Sequence, residues 1–134
     1  MPEAFAFPVV PRYAEIDQQG VVFNGHYLTW FDEAFTGFLD HVGLPYPQLI
    51  AAGYDVMVVH SELDYGGSVR WRDDARVEVT CERQGTTSFT LGFAVYRSAE
   101  EVAVTGRNVY VVLATDTWTK TPIPEPLAAA LGGR

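Results

Sequence analysis

The sequence predicts an α+β fold, with an antiparallel sheet of about five strands wrapped around one long helix. Three observations predict it. Residues 25–42 (GHYLTWFDEAFTGFLDHV) carry apolar side chains at steps of three and four, the period of a helix. The chain after residue 53 instead alternates apolar and polar residues at every second position, the period of a strand. These strand-like segments follow one another with no helical segment between them, which favours hairpins over βαβ crossovers.

Residues 5–13 (FAFPVVPRY) read as a first strand. Pro8 and Pro11 confine it to a sheet edge, because proline has no N–H to give to a ladder. A loop leads to the long helix, in which Tyr27, Leu28, Phe31, Phe35, Phe38, Leu39 and Val42 form the apolar stripe and Trp30 and Ala34 widen it. The polar stripe is narrow: Thr29, Asp32, Glu33, Thr36 and Asp40. So broad an apolar surface predicts a helix covered on most sides. Asn24 is the expected N-cap and Gly43 the residue that ends the helix. Residues 47–52 (PQLIAA) form a short second helix with Pro47 at its start.

Strands follow over 54–69, 75–83, 87–97 and 101–115. Val77, Val79 and Cys81 share one face, as do Phe89, Leu91, Phe93 and Val95, and Gln84-Gly85-Thr86 joins these two strands as a hairpin. In the last strand Val109, Val111 and Leu113 share a face; Tyr96, Tyr110 and Val112 are expected on the outer surface of the sheet. A short tail, TPIPEPLAAALGGR, ends the chain.

At 134 residues the chain is sized for one domain spanning 1–134, and it can bury a core without staples. A net charge of −8 argues against nonspecific binding to nucleic acid or anionic membranes. It leaves room for a small anionic ligand, since eight of the nine basic residues are arginines suited to phosphate. No apolar run approaches the ~18 residues needed to cross a bilayer, and MPEAFAFPVV has no basic region of the signal-peptide kind. With Cys81 as the sole cysteine, no internal disulfide can form, which fits a reducing cytoplasm.

The stretch most suggestive of chemistry is RYAEIDQQGVVFNGHYLTWF, residues 12–31. It sets a carboxylate and a glycine directly before an aromatic helix. A buried helix N-terminus offers unpaired N–H groups and a positive dipole end, and Gly20 and Gly25 allow tight backbone and close ligand approach. On spacing alone Asp17 is either a loop-forming aspartate or a reactive carboxylate. Glu15 is expected to be structural or on a pocket rim, facing the same side of a strand as Asp17. His26 lies in the first helical turn, His41 near the helix C-terminus where the dipole suits it, and His60 on the second strand. No His/Cys/Asp spacing resembles a metal site, Cys81 fits the core, and no G-x-S-x-G is present.

The same stretch resembles the hotdog-fold acyl-CoA thioesterases of the 4-hydroxybenzoyl-CoA thioesterase-like group. The match lies in Y-A-E-I-D-Q-Q-G-V-V-F-N-G-H-Y-L-T-W-F, and continues through ELDY, GTTSFTLGF and TKTPIP. His26 departs from the pattern, standing where the family often has Asn or another small polar residue. The resemblance implies hydrolysis of an acyl-CoA to free acid and coenzyme A, with Asp17 as nucleophile or general base. The backbone N–H of Asn24, and second that of Gly25, would stabilise the oxyanion. It further implies that His60 lines the acyl pocket, that Arg83 and Ser88 hold the coenzyme A, and that no cofactor is needed beyond the coenzyme A of the substrate. Homodimers, often paired into homotetramers, would build the site, and the protein would be cytoplasmic, with no nucleic-acid or membrane partner. Phe23, Tyr27, Trp30 and Phe31 would suit an aromatic or a medium aliphatic acyl group. The alternatives are an acyl carrier protein as thiol carrier, or an acyl-CoA binding domain without catalysis; an enoyl-thioester hydratase would need an Asp/His motif that is absent.

The chemistry fits the residues. The thiolate leaving group has a conjugate-acid pKa near ~8.5, as a cysteine thiol does. It needs little help to depart, so the enzyme must chiefly stabilise the oxyanion and deliver a base or nucleophile.

Overall fold

The computed structural model describes residues 5–132. In chain order the elements are β1 (Phe5–Val9), a 3-10 turn (Tyr13–Glu15), α1 (His26–His41), α2 (Tyr46–Ala51), β2 (Tyr54–Tyr65), β3 (Ala75–Gln84), β4 (Ser88–Tyr96), β5 (Val102–Ala114), β6 (Thr119–Lys120) and α3 (Glu125–Ala130). The strands form one antiparallel sheet in the order β1-β3-β4-β5-β2, with β6 also paired to β5. β1, which contains Pro8, is indeed an edge strand. The sequence pattern did not separate the tail into β6 and α3, nor find the 3-10 turn, each too short to show a period.

α1 lies against the inner face of the sheet. Its buried stripe is Tyr27, Trp30, Phe31, Ala34, Phe35, Phe38 and Leu39. Phe31 stacks on Phe93 of β4 at 4.4 Å between centroids, and Phe35 on Tyr110 of β5 at 4.7 Å. Val77 and Val79 of β3 and Phe89, Leu91 and Val95 of β4 complete this core. The helix ends as expected. Gly43 takes φ +83°, Leu44 donates its N–H to the Leu39 carbonyl and Gly43 donates to Asp40, the paired bonds of a Schellman stop.

Three expectations are corrected. The N-cap of α1 is Gly25, not Asn24, and no side chain caps it. The helix is not covered on most sides within one chain: Leu28, Asp32, Glu33, Thr36 and Asp40 remain exposed. Tyr110 and Val112 belong to the helix-side core, and Val109, Val111 and Leu113 lie on the opposite face of β5, where Val111 and Leu113 are nevertheless buried. The alternation was right but its sense reversed. β5 is apolar at successive positions from 109 to 114, so only its pairing decides the inner face: Phe89 opposite Tyr110 carries Tyr110 onto the helix side. Tyr96 does lie on the outer surface, with the Arg76 guanidinium 3.9 Å above its ring.

Candidate active site at the start of the central helix

The turn before α1 is built by hydrogen bonds close in sequence. Asp17 donates its N–H to the Val21 carbonyl at 2.9 Å, and its own carbonyl accepts from Gly20 N–H at 2.9 Å. Gly20 takes φ +79°, which any Cβ would disfavour. The Asp17 Oδ1 accepts the Gln19 N–H at 2.8 Å. No donor among the described residues engages Oδ2. Loop formation and reactivity are therefore not alternatives here: one carboxylate oxygen fixes the turn and the other is left open.

Asp17 is half-buried and shares a cavity of about 330 Å3 with Asn24, Tyr27, Tyr65, Gly67 and Ser68, among others. Asn24 and Gly25 lead directly into α1, and no acceptor among the described residues takes either N–H. Of the two, Asn24 is on the cavity wall and Gly25 is not. The Asn24 carbonyl accepts from the Tyr65 hydroxyl at 3.1 Å. Tyr27 closes the floor, its hydroxyl oxygen accepting the Val69 N–H at 3.2 Å. Burial, and beyond it the nearby charges of Tyr65, Asp17 and Asp73, hold the Tyr27 hydroxyl above its ordinary range, so it stays protonated. Tyr27 and Tyr65 lie far apart in sequence; only the fold brings them to Asp17.

Glu15 is not on the cavity. It is 3% exposed, ends the 3-10 turn rather than lying in a strand, and points into the core. Its carboxylate accepts the Arg12 N–H at 2.8 Å, the Trp30 indole N–H at 2.9 Å and the Arg12 guanidinium at 3.3 Å. Its main-chain carbonyl accepts the Phe23 N–H at 2.9 Å. Glu15 thus anchors both ends of the Asp17 loop. Trp30 and Phe31 are core side chains and do not offer themselves to an acyl group, whereas Phe23 is exposed with its ring edge-on to His26. His41 is exposed beside Phe5.

The other site candidates lie elsewhere in the chain. His60 is on the outer face of the sheet, 3.1 Å from Glu62. The cause is a bulge in β2: Val58 pairs with Tyr110, but His60 pairs with Val109, leaving Val59 unmatched. Simple alternation would have put His60 on the helix side; the extra residue turns it outward. Arg83 and Ser88 both lie against Gly85, at the β3–β4 turn. That turn is at the end of β3 opposite Ala75, and eight residues of strand separate Arg83 from that end by roughly 26 Å. Gly67 and Ser68, on the Asp17 cavity, lie just before the Ala75 end.

A second cavity, about 360 Å3, opens between α1, α2 and β2 and is lined by Asp32, Phe35, Tyr46, Asp55, Met57 and Tyr110 among others. Tyr46 donates its hydroxyl to Asp55 Oδ1 at 2.8 Å. Although Asp32 is exposed on the helix surface, its position on the wall of this cavity partly desolvates the carboxyl and raises it above its ordinary range. Among the described residues no cluster of His, Cys, Asp and Glu could hold a metal ion, and no helix is long and apolar enough to cross a membrane.

Comparison with known proteins adds the family. A curated relative, a 1,4-dihydroxy-2-naphthoyl-CoA hydrolase of Synechococcus elongatus, is 24% identical over 125 residues, covering 92% of this chain and 91% of its own. The 1,4-dihydroxy-2-naphthoyl-CoA thioesterase structure from Synechocystis superposes with a TM-score of 0.86 at 21% identity, over 96% of this chain and 95% of that one. A thioesterase-superfamily structure from Jannaschia sp. CCS1 gives a TM-score of 0.90 at 20% identity, over 100% and 96%. These likenesses establish the hotdog fold. The model of the Thioesterase-like superfamily matches residues 11–131, from the Asp17 loop through every strand after β1, and the chain therefore belongs to that family and, at the family's level, is a thioester hydrolase.

Proposed function

We propose that this protein hydrolyses an acyl-CoA, with Asp17 supplying the base or nucleophile and the Asn24 N–H holding the oxyanion. One observation carries the reading: Asp17, with one oxygen free of donors, and Asn24, with its N–H free of acceptors among the described residues, border one cavity at the N-terminus of a 16-residue helix. A thioester carbonyl seated there meets an N–H donor and the positive end of the helix dipole on its oxygen. Its carbon is then presented to the Asp17 carboxylate or to a water that the carboxylate deprotonates. The Tyr65 hydroxyl, by engaging the Asn24 carbonyl, holds the main chain of Asn24 in place. One such oxyanion donor is worth about 3 kcal/mol of the barrier.

The working unit in this proposal is a pair of chains. β2 is a twelve-residue edge strand with Met57, Val58 and Val59 exposed in succession, the kind of edge that a protein leaves open only for a partner. If two copies pair β2 antiparallel about a two-fold axis, the Tyr54 end of one lies beside the Tyr65 end of the other. That brings the partner's β3–β4 hairpin, with Arg83 and Ser88, to the side on which Asp17 lies.

The test is turnover of a panel of acyl-CoAs that includes 1,4-dihydroxy-2-naphthoyl-CoA, the compound for which the cyanobacterial relatives are named. Asp17→Asn keeps an oxygen for the Gln19 N–H, so it should fold normally and lose at least ~100-fold in kcat on the best substrate. A folded variant with near-full activity would exclude Asp17 from the chemistry. A wild type that binds acyl-CoA and hydrolyses none would make the protein a binding domain.

A further inference from the structure

The arginines divide by what they touch. Arg12 pairs with Glu15, Arg76 with Glu78, Arg97 with Glu101, and Arg107 with both Glu62 and Glu82. Among the described residues that leaves Arg70, Arg72, Arg83 and Lys120 with no carboxylate partner. Two of these four flank a single residue, Trp71.

The turn holding them is unusual. Arg70 and Asp73 close it, with Asp73 N–H donating to the Arg70 carbonyl at 3.1 Å and Arg70 N–H donating to Asp73 Oδ2 at 2.7 Å. Its third position is Arg72, at φ +73°. A turn of this shape normally has glycine there, since a Cβ is disfavoured. Arginine occupies the site instead and lays its guanidinium 4.6 Å over the Trp71 indole. Strain of this kind tends to persist where a side chain is needed for function. Trp71 is 47% exposed, and Tyr13, 79% exposed, meets it edge-on at 5.8 Å. Arg12, beside Tyr13, is also largely exposed despite its bond to Glu15. In a chain of net charge −8, one exposed turn thus carries two arginines without a carboxylate partner and, with Tyr13, two solvent-facing aromatic rings. The nearby acids are Asp73, with one oxygen committed to the turn, and the exposed Asp74.

This turn is fastened to the Asp17 cavity. Val69 accepts the Val22 N–H at 2.8 Å and donates its own N–H to Tyr27. Gly67 and Ser68 are on the cavity wall, and Trp71 follows Ser68 by three residues, about 10 Å of chain at most.

Resting on the acyl-CoA reading above, we propose that Arg70, Trp71, Arg72 and Tyr13 form the subsite for the adenine nucleotide end of the substrate. The base stacks on the exposed aromatic surface, and the guanidinium forks bind the phosphates. An acidic protein thereby recruits a polyanion through a local contact where its overall charge opposes binding. The pantetheine arm runs from this turn past Ser68 to the thioester at Asp17.

The experiment compares one acyl group carried on coenzyme A and on N-acetylcysteamine, for wild type, Trp71→Ala, Arg72→Gly and Arg83→Ala. Arg72→Gly removes the guanidinium and relieves the backbone, so its Tm should equal or exceed that of wild type. Its KM for the acyl-CoA should nonetheless rise ~5-fold or more, as should that of Trp71→Ala. KM for the truncated thioester should not move in either variant. Adenosine 3′,5′-bisphosphate should compete with the acyl-CoA in wild type and lose potency in Arg72→Gly. Loop variants that leave KM for acyl-CoA unchanged, or that shift both carriers equally, would overturn the subsite. So would an Arg83→Ala variant that alone carries the increase. If neither carrier is turned over, the hydrolase reading fails, and calorimetric titration with coenzyme A itself decides the subsite: weaker binding by Arg72→Gly than by wild type supports it, and equal binding refutes it.

Discussion

Replacing Glu15 by glutamine tests how the reactive turn is held. The Glu15 carboxylate receives the main-chain N–H of Arg12 on one oxygen and the Trp30 indole N–H on the other. A glutamine offers one acceptor and one NH2 donor, so one of these N–H groups must face a donor. Trp30 is only 1% exposed, and water cannot replace the lost partner there. An orphaned buried donor costs about 1–3 kcal/mol. The bond to the exposed Arg12 guanidinium adds ~0–1 kcal/mol. A net loss of about 2–3 kcal/mol follows, and at an unfolding entropy of ~2.1 cal/mol/K per residue this lowers Tm by roughly 7–10 °C. The pH dependence has a definite sign. Burial works to raise the Glu15 carboxyl, but the bonds from Arg12 N–H, Trp30 and the Arg12 guanidinium outweigh it and hold the group below its ordinary 4.5. Its contribution is therefore complete above that value and is lost as the pH falls through the lower, folded one. Thermal melts of both proteins from neutral to acid pH should show a gap that is full at neutrality and closes on acidification. The Glu15 carbonyl still receives the Phe23 N–H, so the folded variant should keep kcat/KM within about threefold. A Tm change under ~2 °C, or a gap that widens in acid, would refute the anchoring role.

Asp32 should behave in the opposite sense. Burial raises its carboxyl, so ionisation weakens the fold once the pH exceeds the ordinary value; Asp32→Asn should raise Tm near neutral pH and gain nothing near about pH 3, and a loss at neutrality would show an undetected partner. Pairing through β2 is tested by sedimentation: the wild type should be at least dimeric at micromolar concentration. Val59→Lys, at the 57%-exposed bulge residue, should give folded monomers with little turnover, and a fully active monomer would rule out a shared site.

The sheet wrapped around one long helix, and the position of Asp17 and Asn24 just before that helix, were legible in the sequence because both depend on local signals. A helix stripe repeats every three or four residues, and the turn from Asp17 to Gly20 is closed by bonds spanning two to four residues. What lay beyond the sequence is set by contacts between distant segments. Tyr65 reaches Asn24 across 41 residues, and Val69 reaches Tyr27 across 42. An extended chain would set Glu15 on the same face as Asp17; a single 3-10 turn directs it to Trp30 instead.

The sequence by itself determined the fold class, the central helix, the succession of the main strands along the chain and the carboxylate set before the helix. Alternation along a strand groups residues by face without saying which face is inside. In β5 that decision fell to the pairing of Phe89 with Tyr110. In β2 it fell to one unmatched residue, Val59, which put His60 on the outer surface. Only the tertiary structure separated the arginines bound to carboxylates from those left open, because ion pairs such as Arg107 with Glu62 and Glu82 join strands far apart in the chain. Arg83 is open as well, but it lies a strand's length from Asp17 of its own chain, whereas Arg70 and Arg72 follow Ser68 of the Asp17 cavity by two and four residues.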